Sequence, residues 1–130
     1  MSEPDPTSSH ASHRLVIKST GGTSSPETTN QAFTVAAAAL AAGVEVSVWL
    51  TGESAWFAVP GRAEDLVLEH AVPLADLLAA ILAAGTLTVC TQCAVRRGLV
   101  ATDLLPGVRI AGAPTFVEEI MAPGTQALVY

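Results

Sequence analysis

Apolar residues fall along the chain in short runs separated by glycine, proline and hydroxyl residues, and their spacing alternates between strand-like and helix-like. Leu15, Val16 and Ile17 stand together within Arg14 to Ser19, as in a strand buried on both faces. The loop Thr20-Gly21-Gly22-Thr23 follows. Ser25 is then placed to cap a helix that starts at Pro26, with Glu27 in the positive first turn. Phe33, Ala36, Ala37, Leu40 and Ala41 share one helical face, and Gly43 supplies the stop. Val44 to Leu50 reads as a second strand, and the segment with Trp56, Phe57 and Pro60 as irregular or briefly helical. Leu74, Leu77, Leu78, Ile81 and Leu82 fit a helix that ends at Gly85. Thr86 to Val89 is a third strand leading into a short helix from Cys90 to Gly98. A strand at Val108 to Ala111, a helix marked by Val117, Ile120 and Met121, and a strand at Ala127 to Val129 complete the pattern.

Such alternation predicts an α/β fold: a three-layer α/β/α sandwich with a mostly parallel sheet of about five strands joined by right-handed crossovers. Ligands in these sheets bind beyond the carboxyl ends of the strands. The loops at Thr20 to Thr23, Thr51 to Glu53 and Cys90 to Cys93 are all expected at that edge. Residues 14–130 form one domain in this reading, with neither repeat nor long linker. Residues 1–13, rich in Ser, Pro and Thr, are expected to be a disordered tail.

Composition narrows the function. Half of the residues are hydrophobic and only 14% are charged, so some apolar surface is expected to meet another subunit, Trp56 and Phe57 included. A membrane span does not account for the apolar content: the run Val35 to Val44 is ended by Glu45, Leu77 to Leu87 is as short, and a span needs about 20 residues. Met1 to Thr7 carry Glu3 and Asp5 and lack the apolar stretch of a signal peptide, so the expected location is cytoplasmic. A formal charge of −6 disfavours nucleic acid, whose phosphates require a basic patch.

The two cysteines lie three apart, as Cys90-Thr91-Gln92-Cys93. In a reducing compartment that spacing reads as redox or metal chemistry rather than a structural disulfide. A thiol at the end of a strand and the start of a helix meets unpaired N–H groups and the positive end of the helix dipole, both of which favour thiolate. Arg96 and Arg97 add positive charge nearby. The alternative is that either cysteine is a small buried hydrophobe. Zinc is disfavoured, since a structural site needs four ligands and the chain offers two thiols, His70, and His10 and His13 in the tail. No metal and no cofactor is expected. Gly21 and Gly22 are candidate substrate-binding positions because backbone N–H groups before a helix can hold an anion; a plain tight turn is the other reading. Glu118 and Glu119 are expected to be solvated, opposite the apolar face of the last helix.

The segment Thr88-Val89-Cys90-Thr91-Gln92-Cys93-Ala94-Val95-Arg96-Arg97-Gly98 resembles the DsrE/TusD/YchN pattern of a strand, a cysteine, a short helix and an Arg-Gly end. The order of elements agrees from Arg14 to Tyr130. The resemblance implies a sulfur-relay protein in which Cys90 accepts sulfane sulfur as a persulfide and passes it on. Its partners would be sulfur donor and acceptor proteins, its assembly a homotrimer or homohexamer, and Arg97 a substrate-side residue. Cys93 matches a non-cysteine in dedicated relay subunits. Two other functions stay open: a thiol-disulfide redox protein using Cys90 and Cys93, and a non-enzymatic binding or assembly protein on the same fold.

Overall fold

The computed structural model describes residues 13–130. Five strands, β1 (Arg14–Ser19), β2 (Glu45–Leu50), β3 (Thr86–Cys90), β4 (Arg109–Ala111) and β5 (Thr125–Val129), form one parallel sheet in the order β4-β3-β2-β1-β5. Four helices connect them: α1 (Pro26–Ala41), α2 (Leu74–Ala84), α3 (Thr91–Arg96) and α4 (Ala113–Ile120). From β1 to β4 each strand is laid down beside the last in one direction, and right-handed crossovers then keep α1, α2 and α3 on one face. The return from β4 to β5 runs the other way across the whole sheet, so α4 lies on the opposite face. The expected three layers result, and the expectation of a disordered tail falls on residues outside the described ones, His13 excepted.

Strand alternation divides the sheet chemically. Ile17, Val46, Val48, Leu50, Leu87 and Val89 point toward α1 and α2 and are buried with Phe33, Ala36, Leu74, Leu77, Leu78 and Ile81. Phe57 belongs to this core, its ring edge-on to Phe33 at 6.2 Å. It is therefore buried within the chain itself and not against another subunit as expected; the 3₁₀ turn Gly52–Ala58 folds it inward. Trp56 is only half-buried, and the Arg62 guanidinium lies 4.5 Å from its ring centroid.

The other face carries Ser47, Trp49, Thr88 and Arg109, and here Glu119 of α4 overturns its reading as a solvated residue. It is 8% exposed and accepts hydrogen bonds from Ser47 Oγ (2.6 Å), Trp49 Nε1 (3.1 Å) and Arg109. The apolar side of α4 was legible; that three polar groups from β2 and β4 wait beneath it was not. Burial pushes the Glu119 carboxyl up, but the Ser47, Arg109 and Trp49 hydrogen bonds and the Arg109 charge outweigh it and hold the pKa below the usual carboxylate value.

Smaller corrections concern the ends of elements. Ser25 makes no side-chain cap; instead its N–H donates to the Gly22 carbonyl and its carbonyl accepts from Thr29 N–H. The inner face of α1 is centred on Thr29, Ala32, Phe33 and Ala36, leaving Ala41 exposed. β2 starts at Glu45, β3 includes Cys90, and β5 starts at Thr125.

Candidate functional site

Three loops do converge at the carboxyl edge. Leaving β1, the chain turns through Gly21 and Gly22, where backbones and side chains approach closely. A Cβ on Gly21 would lie 2.6 Å from Thr29 Oγ1, and one on Gly22 would lie 2.8 Å from Glu53 Cβ. The carbonyls of this turn are tied inward: Thr29 Oγ1 donates to Gly22 at 3.0 Å, and Ser54 Oγ donates to Gly21. Since Ser54 spends its proton there, Ser19 Oγ donates to Ser54 Oγ at 2.7 Å. The first and second loops are thus bound to each other.

The second loop holds the third. Gly52 N–H donates to Cys93 Sγ at 3.2 Å. Glu53 Oε2 accepts from Arg97 Nε (3.2 Å) and Nη2 (3.1 Å) and from Trp56 Nε1 (3.0 Å). Arg97 Nη1 donates to the Cys93 carbonyl at 3.2 Å. Arg97 therefore faces Glu53 and the turn of α3, while Arg96 is exposed. Neither arginine is among the groups that lower the Cys90 pKa.

Cys93 is buried in the main core, 7% exposed, and Cys90 is half-buried at the N-cap of α3. Thr88 and Cys90 alternate with Val89, which packs in the core, so Cys90 belongs to the α4 side of the sheet. Its partner across the sheet is Ala111, and Gly112 follows at the start of α4. The Cys90 sulfur forms no cap hydrogen bond in regular geometry. Burial raises its pKa, yet the Cys93 and Gln92 N–H groups, the Cys93 thiol and the Lys18 charge together bring it below that of an ordinary thiol. Lys18 was missed from sequence. Its signal was available: a lysine directly after the apolar run Leu15-Val16-Ile17 of β1. Alternation puts Lys18 on the same face as Cys90, with Nζ 5.6 Å from the Phe116 ring centroid.

A half-buried free cysteine at the carboxyl edge of a parallel sheet, entering a short helix closed by Arg97-Gly98, narrows the choice of family. The DsrE/DsrF-like family matches residues 13–124, which include the whole site. The chain belongs to the DsrE/DsrF-like family. Among curated relatives, the uncharacterized protein MJ0760 of Methanocaldococcus jannaschii is 34% identical over 114 residues, covering 86% of this chain. The chain spans 41% of the length of that relative. Among solved structures, the ychN protein of E. coli superposes with a TM-score of 0.76 at 16% identity, covering 91% of this chain and 99% of the ychN chain. This likeness establishes the fold expected from the sequence.

Among the described residues, no group of three or more His, Cys, Asp or Glu is placed to hold a metal ion. No helix among them is long and apolar enough to cross a membrane.

Proposed function

We propose that this DsrE/DsrF-like chain is a sulfur-relay protein that carries sulfane sulfur as a persulfide on Cys90. The observation that carries the reading is the half-buried Cys90 thiol, with a pKa below the ordinary thiol value, at the carboxyl edge of a chain of this family. The Cys90 thiolate attacks the outer sulfur of a donor persulfide, the donor S–S bond breaks, and the donor sulfur leaves as thiolate while the Cys90 S–S bond forms. One S–S bond replaces another, so neither oxidant nor reductant is consumed. An acceptor thiolate attacking the outer sulfur of the Cys90 persulfide repeats the step in the onward direction. Gly21, Gly22 and Arg97 serve the substrate side of this reading: Gly22 lines a cavity of the same edge, and Arg97 fixes Glu53 in its wall.

Cys93 is the residue that separates relay from thiol-disulfide chemistry. A redox protein needs Cys93 to resolve a mixed disulfide, whereas a carrier needs only Cys90. The burial of Cys93 and its hydrogen bond from Gly52 favour a packing role. Intact-mass analysis after exposure to a persulfide donor tests this directly. Wild type and Cys93→Ala are expected to gain one sulfur atom and Cys90→Ser none. Cys93→Ala is expected to hold its persulfide at least as long as wild type, because the one thiol able to expel sulfide and close a Cys90–Cys93 disulfide is gone. Loss of uptake in Cys93→Ala, with catalytic disulfide reduction by wild type, transfers the function to the redox protein.

The partners in this reading are protein donors and acceptors in the cytoplasm, and the carrier is a homotrimer or homohexamer. Val117, Met121 and Val129, all exposed on the α4 side of the sheet, supply apolar surface for that assembly. Light scattering at micromolar concentration is expected to report the oligomer; a monomer removes assembly from the proposal.

A further inference from the structure

A cavity of about 260 Å³ opens at the carboxyl edge between the loops that follow β1 and β2. Thr23, Ser24, Glu53, Trp56, Arg62 and Asp65 are among the residues that line it. Arg62 Nε lies 3.4 Å from Asp65 Oδ2, and Glu53 is paired with Arg97 at 3.1 Å. Two features single the cavity out. It is polar and charged with both signs, whereas the hollow between α2 and the Phe57 turn is lined mainly by apolar side chains. It also shares Glu53 with the cysteine loop, since the same carboxylate that faces the cavity holds Arg97, which holds the Cys93 carbonyl.

We infer that this cavity binds a small zwitterion of amino-acid size, its carboxylate on Arg62 and its ammonium on Asp65 and Glu53. The argument is one of charge exchange. The Arg62–Asp65 pair is solvent-exposed, 44% and 60% by side chain, and such pairs are weak enough to be opened by a competing partner. A zwitterion replaces the opened pair in kind, giving each member a new partner. A simple anion or cation satisfies one member and leaves the other alone. Trp56 holds the Arg62 guanidinium 4.5 Å from its ring centroid, and Thr23 and Ser24 supply hydroxyls.

The member of this class that suits a sulfur carrier is free cysteine or its persulfide; that choice rests on the Cys90 reading, while the zwitterion site itself does not. S-methylcysteine is the appropriate probe because it cannot transfer sulfur. Titration followed by calorimetry and by tryptophan fluorescence is expected to saturate in the millimolar range or below, with wild type and Cys90→Ser binding alike. Arg62→Ala is expected to weaken binding about tenfold or more, equivalent to one charged contact. N-acetyl-S-methylcysteine and S-methylcysteine methyl ester, each lacking one charge, are expected to lose as much on wild type. Absence of saturable binding overturns the inference, as does binding indifferent to Arg62→Ala or to the blocked analogues. Either result leaves the Cys90 mass measurement unaffected, and a failure of sulfur uptake leaves the titration unaffected.

Discussion

The two faces of the sheet are built on different chemistry. Toward α1, α2 and α3 the inward strand positions are aliphatic except Ser19 at the carboxyl end of β1, and the helices return mainly aliphatic or aromatic side chains. Toward α4 the inward positions are Val16, Lys18, Ser47, Trp49, Thr88 and Arg109, gathered around one buried carboxylate. The cause is topological. One face receives a helix at each forward step, while the other receives only the return crossover. An eight-residue helix is about 12 Å long, and the span from β4 to β5 is about 19 Å at the usual strand spacing. α4 cannot seal that face with apolar contact alone, so hydrogen bonds and charges join the Trp49–Phe116 ring contact in fixing its position, and residues near Cys90 stay within reach of solvent. One face supplies stability and the other supplies the environment of the Cys90 thiol.

If this division holds, truncation on the aliphatic face has the largest effect. Phe33→Ala, at a fully buried position, is expected to lower unfolding free energy by about 3–5 kcal/mol, read from denaturant midpoints. On the polar face, Glu119→Ala leaves Ser47, Trp49 Nε1 and Arg109 without their acceptor, and a loss of about 2 kcal/mol is expected. A loss as large as that of Phe33→Ala would erase the distinction between the faces. The same carboxylate gives a pH test. Its pKa is lower in the folded chain than in the unfolded one, so its contribution is complete above the ordinary carboxylate value of about 4.3 and disappears as pH falls through the lowered folded value. Glu119→Gln is expected to flatten the acid limb of the stability profile, and an unchanged limb would assign acid sensitivity elsewhere. The smallest effect concerns Cys90. Alkylation of wild type is expected to reach half-maximal rate below the ordinary thiol pKa of about 8.5. Lys18→Met should move that midpoint upward, because a cation that favours thiolate is removed. No movement would confine the activation of Cys90 to its own turn of helix.

Much of this was readable from residue order. Leu74, Leu77, Leu78 and Ile81 announce α2 because their spacing matches a helix and nothing interrupts it, and all four are buried. Cys90 announced itself through its place between an apolar strand and Arg97-Gly98. What escaped depends on partners distant in sequence. Glu119 looked solvated because a helical pattern tells which residues share a side, and the pattern is silent about an opposing sheet face that is polar. Arg97 looked like a contributor to the Cys90 thiol because it follows about two helical turns later, but Glu53, 44 residues earlier, draws its guanidinium to the other loop. Phe57 was assigned to a subunit interface because its segment lacks periodicity to place it in the chain's own core, and the 3₁₀ turn carries it inward.

The position of β1 has a consequence for synthesis on the ribosome. Of the five described strands it emerges before the other four, yet it lies between β2 and β5, and its register with β5 begins at Arg14 and Thr125. The Thr20 hydroxyl likewise waits for the carbonyl of Tyr130, 110 residues later. The nascent chain can therefore stack β1, β2, β3 and β4 while one side of β1 offers its amides and carbonyls to any strand that passes. Only the emergence of Thr125–Val129 closes that edge, which makes the interval before it the one in which this chain most needs to be kept apart from its neighbours.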